Sequence, residues 1–123
     1  MTIQELYAAI GGNYEQAVRV MKMDRLIDKY VRKFEGSGLD AALAEAGASM
    51  DATKLFESAH AMKGVCSNLG LDALADAAHE ITEEFRPGNA RKLSDEEVRA
   101  RLDAIAERYR ATAEGIRRYT QQA

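Results

Sequence analysis

The sequence predicts an all-α fold, an antiparallel four-helix bundle with a short N-terminal lid helix. Three observations carry that expectation. Apolar residues recur at spacings of three and four in several long stretches, the signature of helices that bury one face. Charged residues make up 30% of the chain and aromatics only 7%, with no β-rich run. Capping residues and glycine stops punctuate the chain at intervals suited to helices joined by short turns. With 123 residues, 46% hydrophobic and a single proline, the chain is long enough for one core, so one domain over residues 1–123 is expected.

Thr2 followed by Glu5 reads as a capping box opening a short helix that Gly11-Gly12 ends. Asn13 with Gln16 repeats the signal for a second short piece through about Met21. Asp24 should cap a stronger helix whose stripe is Ile27, Tyr30, Val31 and Phe34, with a basic last turn, until Gly36-Ser37-Gly38 breaks it. Leu39, Ala42 and Leu43 suggest a small helix up to Gly47 and a turn through Ser49. Asp51 then caps a long helix with the seam Leu55, Ala59, Met62, Cys66 and Leu69, closed by a left-handed residue at Gly70. Leu71, Leu74, Ala78, Ile81 and Phe85 give the next seam, which Arg86-Pro87-Gly88-Asn89 stops. Ser94 with Glu97 opens the last helix, seamed by Val98, Leu102, Ile105, Tyr109, Ile116 and Tyr119. Four substantial antiparallel helices follow, with the first short one across them as a lid.

Charge and composition narrow the function. A net charge of -3 and a pI near 5.4 supply no basic field for nucleic acid or an anionic membrane. One cysteine cannot form an internal disulfide, and Cys66 lies on a seam as a small hydrophobe. No signal peptide or apolar run of bilayer length is evident, so the cytoplasm is the expected compartment and a monomer the expected state. Met1 and the near-complete bundle favour a free-standing chain.

One flank of the Asp51–Gly70 helix carries chemistry. At about 100° per residue, His60, Lys63, Gly64 and Ser67 fall together, a third of a turn from the buried seam. Imidazole in water is partly neutral near pH 7 and needs no helper base to act as a nucleophile, so His60 can accept a phosphoryl group directly. Phosphoryl transfer asks for in-line positioning and for charge on the oxygens to be balanced, and Lys63 at i+3 can balance it. A glycine inside a helix costs about 1 kcal/mol relative to alanine, and Gly64 would repay that by leaving the imidazole uncrowded. Ser67 reads equally well as a phosphate or partner contact and as a small polar residue on an open face.

The run His60-Ala61-Met62-Lys63-Gly64, followed by Asn68-Leu69-Gly70-Leu71, resembles the histidine-containing phosphotransfer domain of multistep two-component signalling. The resemblance implies a four-helix bundle whose His60 takes a phosphoryl group from the aspartate of a receiver domain and passes it to another. The receivers would belong to response regulators or hybrid histidine kinases. It implies no kinase activity and no cofactor bound by this chain, Mg²⁺ being expected in the receiver. It also implies a polar residue twenty-two positions after the histidine and a basic one at twenty-six, here Thr82 and Arg86, with threonine departing from the more common glutamine. His79 shares their flank of the following helix in a supporting role at most. Phe56, one turn before His60, and Leu71 are the candidate docking residues with parts of the first short helix, although Phe56 could equally be wedged between helices.

Two rival classes are weighed. Glu57-x-x-His60 and Asp76-x-x-His79 have the spacing that four-helix di-metal proteins use, but both carboxylates fall roughly 170–190° from the seams of their own helices and should face solvent, so no metal site is expected. A kinase lacks support, since no glycine-rich nucleotide loop or Mg²⁺-binding acid set is present. The stronger rival is a helical docking module that binds a signalling partner through the same surface without carrying phosphate.

Overall fold

The computed structural model describes residues 1–121, and these form helices without a strand. In chain order they are α1 (Ile3–Ile10), α2 (Tyr14–Met21), α3 (Asp24–Glu35), α4 (Leu39–Ser49), α5 (Ala52–Asn68), α6 (Asp72–Glu84) and α7 (Asp95–Gln121). Buried apolar residues from all seven join in one core. The predicted seams of α5 and α6 are buried throughout, and α5 pairs with α6 more extensively than any other two helices. α7 is about 40 Å long at 1.5 Å per residue and backs α1, α3, α4 and α6.

Local chemistry explains most boundaries. The Thr2 hydroxyl accepts from the Glu5 amide at 3.1 Å while the Glu5 carboxylate accepts from the Thr2 amide at 2.8 Å, which completes the capping box. Asn13, Asp51 and Ser94 cap α2, α5 and α7 through the amides of Gln16, Lys54 and Glu97.

Three expectations need correction. Met23, in extended backbone, is the N-cap of α3, and Asp24 is instead its first residue, with its carboxylate turned to the Tyr14 hydroxyl. Tyr30 is 39% exposed rather than part of the buried stripe, its ring flanked by the ammonium groups of Lys29 and Lys33. α4 runs on through Gly47 to Ser49 and closes at left-handed Met50. Gly47 is a packing glycine, since a Cβ there would stand 2.6 Å from Leu102 Cδ1.

The turn from α5 to α6 ties the lid to the bundle. Gly70 has φ +69°, the Leu71 amide donates to the Cys66 carbonyl at 2.8 Å and the Gly70 amide to that of Ser67 at 3.2 Å. This satisfies the last carbonyls of α5 in a Schellman motif. The outward carbonyls of the turn take up the N-terminal segment. The buried Tyr7 hydroxyl donates to Leu69 at 2.7 Å and the Asn13 amide to Gly70 at 2.7 Å. The Asn13 side chain donates to Asp72 at 3.0 Å. A Cβ at Gly70 would run into the Asn13 carbonyl oxygen.

A second latch holds the loop between α6 and α7. The buried Glu84 carboxylate accepts from the amides of Lys92 and Leu93 at 2.9–3.1 Å and from Arg91 Nε at 3.1 Å. Burial alone would push its carboxyl up, but the Leu93 and Lys92 amides and the Arg91 guanidinium outweigh that and hold it below the ordinary carboxylate value.

Gly70→Ala should cost about 2 kcal/mol or more, from the left-handed backbone and the lost Asn13 contact, measured by denaturant unfolding. Glu84→Gln should cost roughly 2–4 kcal/mol near neutral pH. Because the folded-state value of Glu84 is depressed, its contribution is full above the ordinary carboxylate value of 4.5 and lost as pH falls through the folded one. Unfolding curves of wild type and Glu84→Gln should therefore converge in acid, and a constant gap across pH would contradict this assignment.

Candidate functional site

Helix α5 presents His60 to solvent near its middle, with Ala59 and Met62 on either side of it in sequence buried in the core. The imidazole lies nearly parallel to the Phe56 ring, with centroids 5.7 Å apart and planes 9° apart. The Arg86 guanidinium also lies over the Phe56 ring, 5.2 Å from its centroid. Phe56 is half-buried and packs against the core, so the two sequence readings combine, with His60 and Arg86 both against its ring. The antiparallel pairing of α5 and α6 thus brings His60, Phe56 and Arg86 into one row across two helices.

Gly64 is exposed, and a Cβ there would meet nothing within 4 Å. This corrects one expectation, because an alanine side chain at 64 would not crowd the imidazole of the free chain. Any benefit of the missing methyl must lie in what approaches from outside. Lys63 is half-buried, and Ser67, two turns past His60, is exposed.

The α6 flank divides. His79 is exposed and Arg86 half-buried, but Thr82 is fully buried and its hydroxyl donates to the Ala78 carbonyl at 2.8 Å. Thr82 therefore faces the helix interface and offers no free hydroxyl to a phosphoryl group at the surface. Leu71 is also corrected as a docking residue: it is 5% exposed and belongs to the core as the N-cap of α6. Glu57 and Asp76 are exposed, where the helical wheel puts them.

Sequence reasoning missed Glu83. Its Oε2 accepts from Arg86 Nε at 2.8 Å and stands 2.7 Å from Arg86 Nη2. The bond from Arg86 is the main reason its carboxyl lies below the ordinary range, and the positive fields of Arg86, His79 and Lys63 add to it. The i,i+3 spacing of Glu83 and Arg86 and the i,i+4 spacing of His79 and Glu83 were the available signals. Cys66 is buried and desolvation pushes its thiol up to about 12, so it is no competing nucleophile.

On the other side of α5 from Arg86 an open groove of about 490 Å³ lies between α2, α3, the start of α4 and the end of α5. Val65 and Asn68 form its α5 wall and Met21, Tyr30 and Leu39 its opposite side. They stand about 140° and 80° round α5 from His60. Val65 and Tyr30 are among the few exposed large apolar side chains.

Against models of protein families, residues 35–112 match the Hpt domain, a span that takes in α4, α5, α6 and most of α7. The chain belongs to the Hpt domain family. Comparison with curated proteins and with solved structures gave no match. Membership carries a histidine phosphotransfer role in a phosphorelay and interaction with receiver domains of response regulators or kinases, and Hpt domains are phosphotransfer carriers without a kinase activity of their own. Among the described residues no helix is long and apolar enough to cross a membrane.

The open surroundings of Gly64 make a stability prediction for this Hpt domain. Gly64→Ala should stabilise the isolated chain by up to about 1 kcal/mol, the helix propensity difference with no steric penalty against it. A fall in Tm would show that the methyl meets something.

Proposed function

We propose that His60 is the phosphoacceptor of this Hpt domain and that it relays a phosphoryl group between the aspartates of two receiver domains. The observation that carries this reading is the exposed His60, one turn before an interior glycine whose missing side chain relieves nothing within the chain. The Nε2 lone pair attacks phosphorus in line, the P–N bond forms, and the bond to the aspartyl oxygen breaks with its electrons returning to the carboxylate. Lys63 balances charge on the phosphoryl oxygens, and Arg86 adds positive potential from beside Phe56. The Mg²⁺ that such a transfer uses belongs to the receiver. Gly64 leaves room for the receiver's acidic pocket, and Ser67 lies within the covered face. His79 contributes at the edge, where it shares the field of Glu83.

The apolar part of the docking face is the groove walled by Val65, in place of Leu71. A receiver over His60 would reach it, and its modest extent suits a partner that must leave quickly. One face serves donor and acceptor, so they bind in turn. We take the lid and α2 into the same domain although the family match begins at residue 35, and the bonds of Tyr7 and Asn13 to the α5–α6 turn support that reading.

The test is phosphorylation of the purified protein by a receiver held in its phosphoaspartate form. Wild type should acquire an acid-labile, base-stable phosphate and His60→Gln none. Gly64→Ala should bind the receiver more weakly or accept phosphate at least several-fold more slowly while being at least as stable as wild type. If neither wild type nor His60→Gln accepts phosphate yet both bind receivers, the docking-module reading stands instead.

A further inference from the structure

Arg86 and His60 both lie against the Phe56 ring, and Arg86 is already engaged by an acid. Both of its short contacts fall on a single oxygen of Glu83. Each side chain of the pair is 39% exposed. An ion pair so open to water is held weakly and can be exchanged for a better anion. Lys63 also lies within the field of Glu83, so the acid offsets both cations beside His60.

We propose that Glu83 is an exchangeable counter-ion that limits how strongly the site holds a phosphoryl group. The proposal rests on His60 being the phosphoacceptor. A phosphoryl group on nitrogen brings close to two negative charges. It competes with Glu83 for Arg86 and is repelled by Glu83 itself. A carboxylate at this place therefore raises the energy of the phosphohistidine relative to the empty site and keeps the group transferable. The same charge shortens the life of the phosphohistidine in water. Cations hold the oxygens of the ground state more tightly than those of a loose transition state, in which charge has moved toward the leaving group, and Glu83 weakens that hold.

Glu83 is a positioning residue, since it acts through Arg86 and Lys63 and need not touch the phosphoryl group. Its side chain is only part of a surface pair, so its replacement by glutamine leaves the core packing untouched.

The chain has two histidines, and a His79→Gln background leaves His60 as the sole imidazole. Phosphoramidate, which transfers its phosphoryl group to histidine and releases ammonia, then loads the site without any receiver. Phosphorus NMR follows the decay of the phosphohistidine signal. Glu83→Gln should lengthen the half-life about three- to ten-fold at low salt, the size of one unit charge moved out of the surroundings of the phosphoryl group. The gain should shrink as salt is raised. Glu83→Asp, which keeps the charge, should decay like its parent. In an Arg86→Gln background the further change Glu83→Gln should have a much smaller effect, because the pair acts as a unit. Equal half-lives for parent and Glu83→Gln, both loaded at His60 and equally folded by thermal melting, would overturn the proposal. Absence of phosphohistidine in the parent, with label appearing only when His79 is restored, would instead overturn the assignment of His60 and this inference with it.

Discussion

The backbone of Leu69 and Gly70 is where the parts of this molecule are joined. Its amides close α5 and its carbonyls accept from Tyr7 and Asn13, so one left-handed residue ends the helix, reverses the chain and seats the lid. A side chain at Gly70 would collide with the Asn13 carbonyl oxygen and could not keep this arrangement. The reversal sets the register between α5 and α6. That register places Arg86, near the end of α6, against Phe56, near the start of α5, and so decides what stands behind His60. The chemistry at the surface therefore depends on a turn with no chemistry of its own.

The glycines separate packing from access. Gly47 lies against Leu102, Gly115 against Ile10 and Gly70 against Asn13, and each lets two elements approach closely. Gly64 has open space around its missing side chain. It sits inside a helix, where glycine is unfavourable by about 1 kcal/mol, and nothing within the chain compensates. A destabilising residue with no internal partner is what a surface shaped for another molecule would contain.

Much of this was legible in the sequence because helices announce themselves through local rules. The seams of α5 and α6 follow from spacing alone, and the caps at Thr2, Asn13, Asp51 and Ser94 from the reach of a short side chain to an amide three residues on. The flank of His60, Lys63, Gly64 and Ser67 was visible for the same reason. What escaped depends on contacts distant in the chain. Gly47 read as a stop because Leu102, which makes it a packing residue, is 55 positions away. Leu71 read both as a seam residue and as a docking candidate, and how the two helices meet beyond the turn decides for the seam. Thr82 and Arg86 share a flank on a wheel, but the packing of α5 over that flank buries the first and leaves the second half-open. Glu83 was overlooked because a search for groups that attract phosphate passes over the acid that tempers them.

A relay differs from an enzyme site in what its electrostatics must achieve. A site crowded with cations would hold phosphate well and surrender it poorly, since any interaction that favours the loaded state must be overcome when the acceptor takes the group. The surroundings of His60 are balanced, with Lys63 and Arg86 set against Glu83 and both His60 and Arg86 resting on the Phe56 ring. The apolar groove lies on the opposite side of α5, so on the proposed reading recognition of a partner and the holding of charge would occupy separate flanks. Such a separation would let binding strength be set by Val65 and its neighbours without altering the free energy of the phosphoryl group. Transfer in either direction would then depend on the receiver's chemistry, with this Hpt domain contributing a nucleophile of moderate hold.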